Sequence, residues 1–187
     1  PVSKIFENTL VFSIHPSLPA NTMEEFVAYA KQNPGKIAFG SSGTGTLTLS
    51  GANLYTGGTT LSAGVVRVQS NQALGTTAGG TTVASGAAIE IDGSGLVIAE
   101  PLTSLIGTGI ASGGALRNLA NNNEWAGAIT LGSGGARLNA DSGTLTVSGD
   151  LDGATRPLTV GGAGNTTISG VIGTTSGTLT KDGTGML

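Results

Sequence analysis

The chain has 187 residues, 33 of them glycine, a net charge of −3 and only 10% charged residues. That length supports a domain with a real core, while low charge with positive mean hydropathy argues against a solvated disordered chain. The acidic balance and four arginines scattered along the sequence argue against a nucleic-acid partner, and no apolar run reaches the ~18 residues of a membrane-spanning helix.

The first 46 residues hold five of the seven aromatics, three of the four lysines and the single histidine, but only four glycines. TLVFSIH (9–15) reads as a strand, broken by Pro16 and Pro19. Thr22 and Glu25 have the spacing of a capping box. Met23, Phe26, Val27 and Ala30 then recur at three- and four-residue steps, which gives a helix with one apolar face, stopped at Pro34-Gly35. KIAFG (36–40) reads as a second strand, so residues 1–46 predict a short βαβ-like segment.

From residue 47 the vocabulary changes. LTLS (47–50), TTLSAGVVRV (59–68), TTVASGAAIEI (81–91), LVIA (96–99), ALRNLA (115–120), AITLG (128–132), ARLNA (136–140), GTLTVSG (143–149), TTISGVI (166–172) and GTLTKDG (177–183) mostly alternate apolar with small polar residues. Gly, Asn, Asp and Ser punctuate them, as in short strands joined by tight turns. A sandwich or a barrel would also use many short strands. Three features favour a β-solenoid: the shared template of GTLTLSG, GTLTVSG and GTLTKDG, the small side chains, and the scarcity of the aromatics that fill sandwich cores. Coils of ~20–25 residues give roughly six turns over 47–187. The expected fold class is therefore mainly β, a β-solenoid over 47–187 after a βαβ-like segment over 1–46.

GTLTLSGANLYTGGTTLSAGVVRV (45–68) resembles the autotransporter-associated β-strand repeat of bacterial autotransporter passenger domains, and GTLTKDGTGML (177–187) resembles the opening of another such repeat. That resemblance implies a right-handed parallel β-helix, exported through the periplasm to the cell surface or beyond, with any membrane barrel outside this chain. The absence of cysteine fits such a route. LVFSIHPSLPANTMEEFVAYAKQNPGKIAFGSSGTGT (10–46) is similar to periplasmic receptors of the tripartite tricarboxylate transporter type, which implies a carboxylate ligand. The two texts meet inside GTGT (43–46).

Few residues offer chemistry. The glycine-rich GSSGTGT (40–46) makes Ser41, Ser42, Gly43 and Thr44 a candidate carboxylate cradle, weakened because a strand rather than a helix follows. His15 has no nucleophile or orienting acid beside it in sequence. Asp92, Asp141, Asp150, Asp152 and Asp182 mostly adjoin glycine, as turn residues do, although neighbouring coils could bring two together for sugar hydrolysis. GGAGNTTIS (161–169) is a degenerate form of a calcium nonapeptide, with Thr166 where aspartate is needed. Trp125 is expected in or against the core, the alternative being a sugar-stacking surface position, and Asn121–Asn123 a turn or an asparagine ladder. The expectation is a non-enzymatic structural or adhesive module with no metal and no cofactor. Its partners are a host surface or glycan, and further copies stacked on its solenoid ends, into fibres. The alternatives are a carboxylate-receptor fragment and a polysaccharide-binding or -cleaving solenoid.

Overall fold

The computed structural model of the chain describes residues 45–187; the expected βαβ-like segment, His15 and the cradle Ser41–Thr44 lie outside the described residues. Sixteen short strands follow in order: β1 Thr46–Leu49, β2 Thr59–Leu61, β3 Gly64–Val68, β4 Thr81–Val83, β5 Ala87–Ile91, β6 Val97–Ile98, β7 Leu102–Gly107 and β8 Leu116–Asn118. Then come β9 Asn122–Trp125, β10 Ile129–Ala140, β11 Thr144–Val147, β12 Leu151–Asp152, β13 Leu158–Gly161, β14 Asn165–Ile168, β15 Ile172–Gly173 and β16 Leu179–Lys181. The helical content of the described residues is one 3-10 turn at Ile110–Ser112.

Every strand pairing is parallel, and partners lie one coil apart. Three faces result. The first stacks β1, β3, β5, β8, the second half of β10, β13 and β16. The second stacks β2, β4, β7, the first half of β10, β12 and β15. The third, shorter face stacks β6, β9, β11 and β14. This is the expected β-solenoid, of about six turns. β10 runs through a corner at its exposed Ser133-Gly134, which joins the first two faces into one sheet. Coil length varies: Leu116 pairs with Leu138 after 22 residues, whereas Ile89 pairs with Leu116 after 27. The extra length is the corner around Ile110–Ser112.

Alternation along each strand sends one set of side chains inward, and parallel register stacks them into columns. On the first face the inward column is Leu47, Val66, Ile89, Leu116, Leu138 and Val160. On the second it is Thr59, Thr81, Leu102, Ile129, Leu151 and Ile172. On the third it is Ile98, Trp125, Val147 and Ile168. Most of these side chains are buried in one continuous core. Each fully buried Leu, Ile or Val contributes about 1.5–3 kcal/mol.

The corner between the third and second faces is built differently. Gly127, Gly149 and Gly170 stack there, each pressed against the backbone of the preceding coil: Gly127 on Glu100, Gly149 on Gly127, Gly170 on Gly149. In the first coils Gly79 packs on Gly57 in the same manner. Glycine is required because a Cβ would overlap backbone atoms held by the coil below.

Candidate functional site

The outward positions of the first face carry most of the described charge. Arg67, Glu90, Arg117 and Asn139 occupy one outward column in register. Arg67 Nη2 donates to Glu90 Oε2 at 2.8 Å, and Arg117 Nη1 donates to Glu90 Oε1 at 3.2 Å. Arg117 Nη2 also grips Asp141 Oδ2 at 2.5 Å. Asn139 joins Asp141 to Arg137, donating through Nδ2 and accepting at Oδ1. Arg137 then forms a two-pronged pair with Asp182, 2.7 Å on each prong, across an intervening coil. That reach is open because the coil between presents Gly161, where a Cβ would meet both side chains. Seven side chains thus form a single network running along the solenoid. Arg137 beside Asp182 holds that carboxyl below its ordinary range, and the Asp141 hydrogen bonds raise the Arg117 guanidinium further. Three of the four arginines, scattered in sequence, are aligned in space, and their charges are matched by acids.

This arrangement speaks to the proposed carboxylate pair. Glu90 and Asp141 share one partner, Arg117, which is paired with both. Both carboxylates are thus already engaged in ion pairs within the network. Asp150 Oδ1 accepts from the backbone N–H of Val171 one coil on, and Asp92 Oδ2 accepts from Gln69 one coil back, so both tie neighbouring coils together. Among the described residues no cluster of His, Cys, Asp or Glu has the makings of a metal site. Thr166, at the aspartate position of the calcium-like text, is buried rather than facing a turn.

A second polar cluster lies inside the solenoid. Glu100 stands at the corner position that is glycine in other coils, and its side chain is buried. Its Oε1 accepts from Thr81 Oγ1 at 2.8 Å, while its Oε2 has no partner. Tyr55 Oη and Thr59 Oγ1 are 2.9 Å apart in the adjoining coil, and Thr59 stacks directly on Thr81. Burial pushes the Glu100 carboxyl up, opposed by the Thr81 bond. Burial likewise pushes the Tyr55 phenol up, with the Glu100 charge adding to it. A raised carboxyl favours the neutral form in the fold, so native stability falls as pH rises from the unfolded to the folded pKa. Glu100→Gln is expected to stabilise the chain by on the order of 1 kcal/mol at neutral pH. The gain should shrink to nothing below the ordinary glutamate range, as read from denaturant melts at several pH values. A pH-independent difference would show that ionisation of Glu100 is not the cause.

Trp125 is fully buried, pointing inward from β9 over Ile98, so it is a core residue and not a sugar platform. The asparagine run forms a corner cluster, not a ladder along coils. Asn123 donates to Asn118 Oδ1 at 2.8 Å, and Asn118 donates to the carbonyls of Asn121 and Ser142. These bonds satisfy backbone groups where the first face turns into the third.

Known proteins resemble the chain in two places. The model of the tripartite tricarboxylate transporter family receptor matches residues 1–64, so this similarity runs past residue 46 through β1 and β2. The adhesin BmaC autotransporter of Brucella suis biovar 1 (strain 1330) is 32% identical over 145 residues, covering 67% of this chain. The chain spans about 4% of that adhesin's length. No solved structure matches it. The chain is thus similar to a receptor family over its first third and to an autotransporter adhesin over a larger part.

Proposed function

We propose that residues 45–187 serve as a β-helical module of a bacterial surface or secreted protein, with an adhesive rather than catalytic role and a host surface or glycan as its partner. The observation that carries this reading is the parallel solenoid, joined to similarity with an autotransporter adhesin. Its internal chemistry is consistent with it: Arg67, Glu90, Arg117, Arg137, Asp141 and Asp182 bond to one another across coils. Outward positions of the third face, Asn122, Glu124, Thr146 and Thr167, supply the polar surface a partner would touch. Export to the cell surface is the location that such a role needs. The test is binding of the purified, labelled chain to epithelial cells and to a glycan array. Saturable binding is expected; binding no greater than that of an unrelated β-solenoid would remove the adhesive role.

The receptor match over residues 1–64 favours one second reading, a carboxylate-binding fragment using Ser41, Ser42, Gly43 and Thr44. Titration calorimetry with citrate, aspartate and glutamate separates the two. Heat from any of them, lost in a Ser41→Ala/Ser42→Ala double variant, would support the receptor reading, and no heat from all three would end it. Self-association through the solenoid ends belongs to the first reading.

A further inference from the structure

An aspartate followed by glycine is chemically special, because a neighbour without a Cβ lets the aspartyl carboxyl reach the next backbone nitrogen. The chain has three such steps: Asp92-Gly93, Asp152-Gly153 and Asp182-Gly183. Each sits at the end of a strand: Asp92 follows β5, Asp152 ends β12 and Asp182 follows β16. Their local sequences are close to equivalent, but the fold treats the three carboxyls differently.

Both oxygens of Asp182 are gripped by Arg137, at 2.7 Å each. The guanidinium also keeps that carboxyl in its charged form. Asp92 is held by one oxygen, Oδ2, which accepts from Gln69 at 2.9 Å. Among the described residues no such partner holds Asp152, whose side chain is exposed. Its Oδ1 lies 3.6 Å from where a Cβ on Gly173 would stand, so the next coil places no side chain against it. Gly153 cannot readily be exchanged for a larger residue, since its Cβ would come within 2.7 Å of Leu131 Cβ. Packing of the coil therefore keeps a glycine beside an unrestrained aspartate.

We infer that Asp152-Gly153 is a site of spontaneous aspartate isomerisation in the folded module, and that Arg137 shields the like step at Asp182-Gly183. The amide nitrogen of Gly153 attacks the side-chain carboxyl carbon of Asp152. A carbon–nitrogen bond forms, the amide proton and one carboxyl oxygen leave in a molecule of water, and a five-membered succinimide results. Water then opens the ring. Opening at one carbonyl restores aspartate. Opening at the other gives isoaspartate, whose main chain runs through the former side chain. No oxidant, cofactor or enzyme is needed. The step requires a carboxyl that can swing toward the amide and take up a proton, which the Arg137 grip denies to Asp182. Isoaspartate lengthens the backbone by one methylene where Asp152 pairs with Thr130 on one side and Gly173 on the other. Register on the second face should then fail at this point. The inference rests on the fold and not on the adhesive role.

The test is prolonged incubation of the full chain at physiological temperature and pH, with isoaspartate located by electron-transfer fragmentation of its peptides. A parallel sample is kept in guanidinium chloride. In the folded chain isoaspartate is expected to accumulate fastest at 152, more slowly at 92 and slowest at 182. In denaturant the three rates should converge. A folded chain that isomerises no faster at 152 than at 182 overturns the inference, as does the same ranking in denaturant. Asp152→Glu should abolish the reaction there, because the longer side chain closes a strained, slower ring. Arg137→Met should raise the rate at Asp182 severalfold and leave Asp152 unchanged, with circular dichroism reporting that the variant is folded. No rise at Asp182 in the folded variant removes the shielding role of Arg137. If that variant unfolds, the wild-type ranking still decides the matter. Cell and glycan binding enter none of these measurements, so loss of the adhesive reading leaves the result standing.

Discussion

Gly149→Ala is expected to lose about 4 kcal/mol or more of unfolding free energy, at the extreme of what one methyl group does. The added Cβ would overlap the carbonyl of Gly127 and touch that of Ala126 in the coil beneath. Those atoms are not the ends of flexible side chains. The N–H groups of Ala126 and Gly127 are themselves bonded to Ile98 O in the next coil down. Relief therefore requires two coils to part at this corner, which breaks parallel pairing on both adjoining faces. Gly51→Ala is the matched control. Its Cβ would find only Asn53 Oδ1, at 3.6 Å, and the change should lie within about 0.5 kcal/mol of wild type. Urea titrations followed by circular dichroism decide it. Two variants with equal midpoints would mean that the glycine column is not a packing constraint.

The same corner explains why the solenoid was legible while its best-defined polar sites were not. Period-two alternation and the GTLT template depend on local sequence; the runs 47–50 and 143–149 fall on β1 and β11, while the runs 59–68 and 81–91 each cover two strands, β2 with β3 and β4 with β5. In sequence Asn121–Asn123 reads as a turn or an asparagine ladder, since asparagine has poor strand propensity. β9 is a strand because Trp125 packs inward over Ile98 and draws its neighbours into register. The arginine–carboxylate network is non-local. Arg67, Glu90 and Arg117 share a column only once coils of 23 and 27 residues have been counted out, and the longer coil hides the spacing. Glu100 gave a fainter signal. It precedes a proline and a strand like any loop glutamate, and becomes informative only when stacking shows glycines at its place in other coils. Asp141 and Asp182 read as turn acids in sequence, and the structure adds the guanidinium paired with each.

Trp125→Ala is expected to cost about 3–5 kcal/mol, the range for emptying a large core site. Trp125→Phe should cost markedly less. The indole is fully buried, stacked between Ile98 and Val147, yet its Nε1–H has no partner. Phenylalanine keeps the aromatic bulk and removes a desolvated donor, whose penalty of about 1–3 kcal/mol offsets part of the lost packing. Denaturant midpoints by circular dichroism measure both, since the chain has a single tryptophan and its removal silences fluorescence. The comparison also bears on adhesion. If stacking on a sugar were this residue's role, Trp125→Ala would leave stability intact and abolish glycan binding. A core role predicts the reverse for Trp125→Phe: unchanged binding in a chain that still folds. Any glycan contact on this face then falls to outward neighbours such as Asn122 and Glu124, which can be substituted without opening the core.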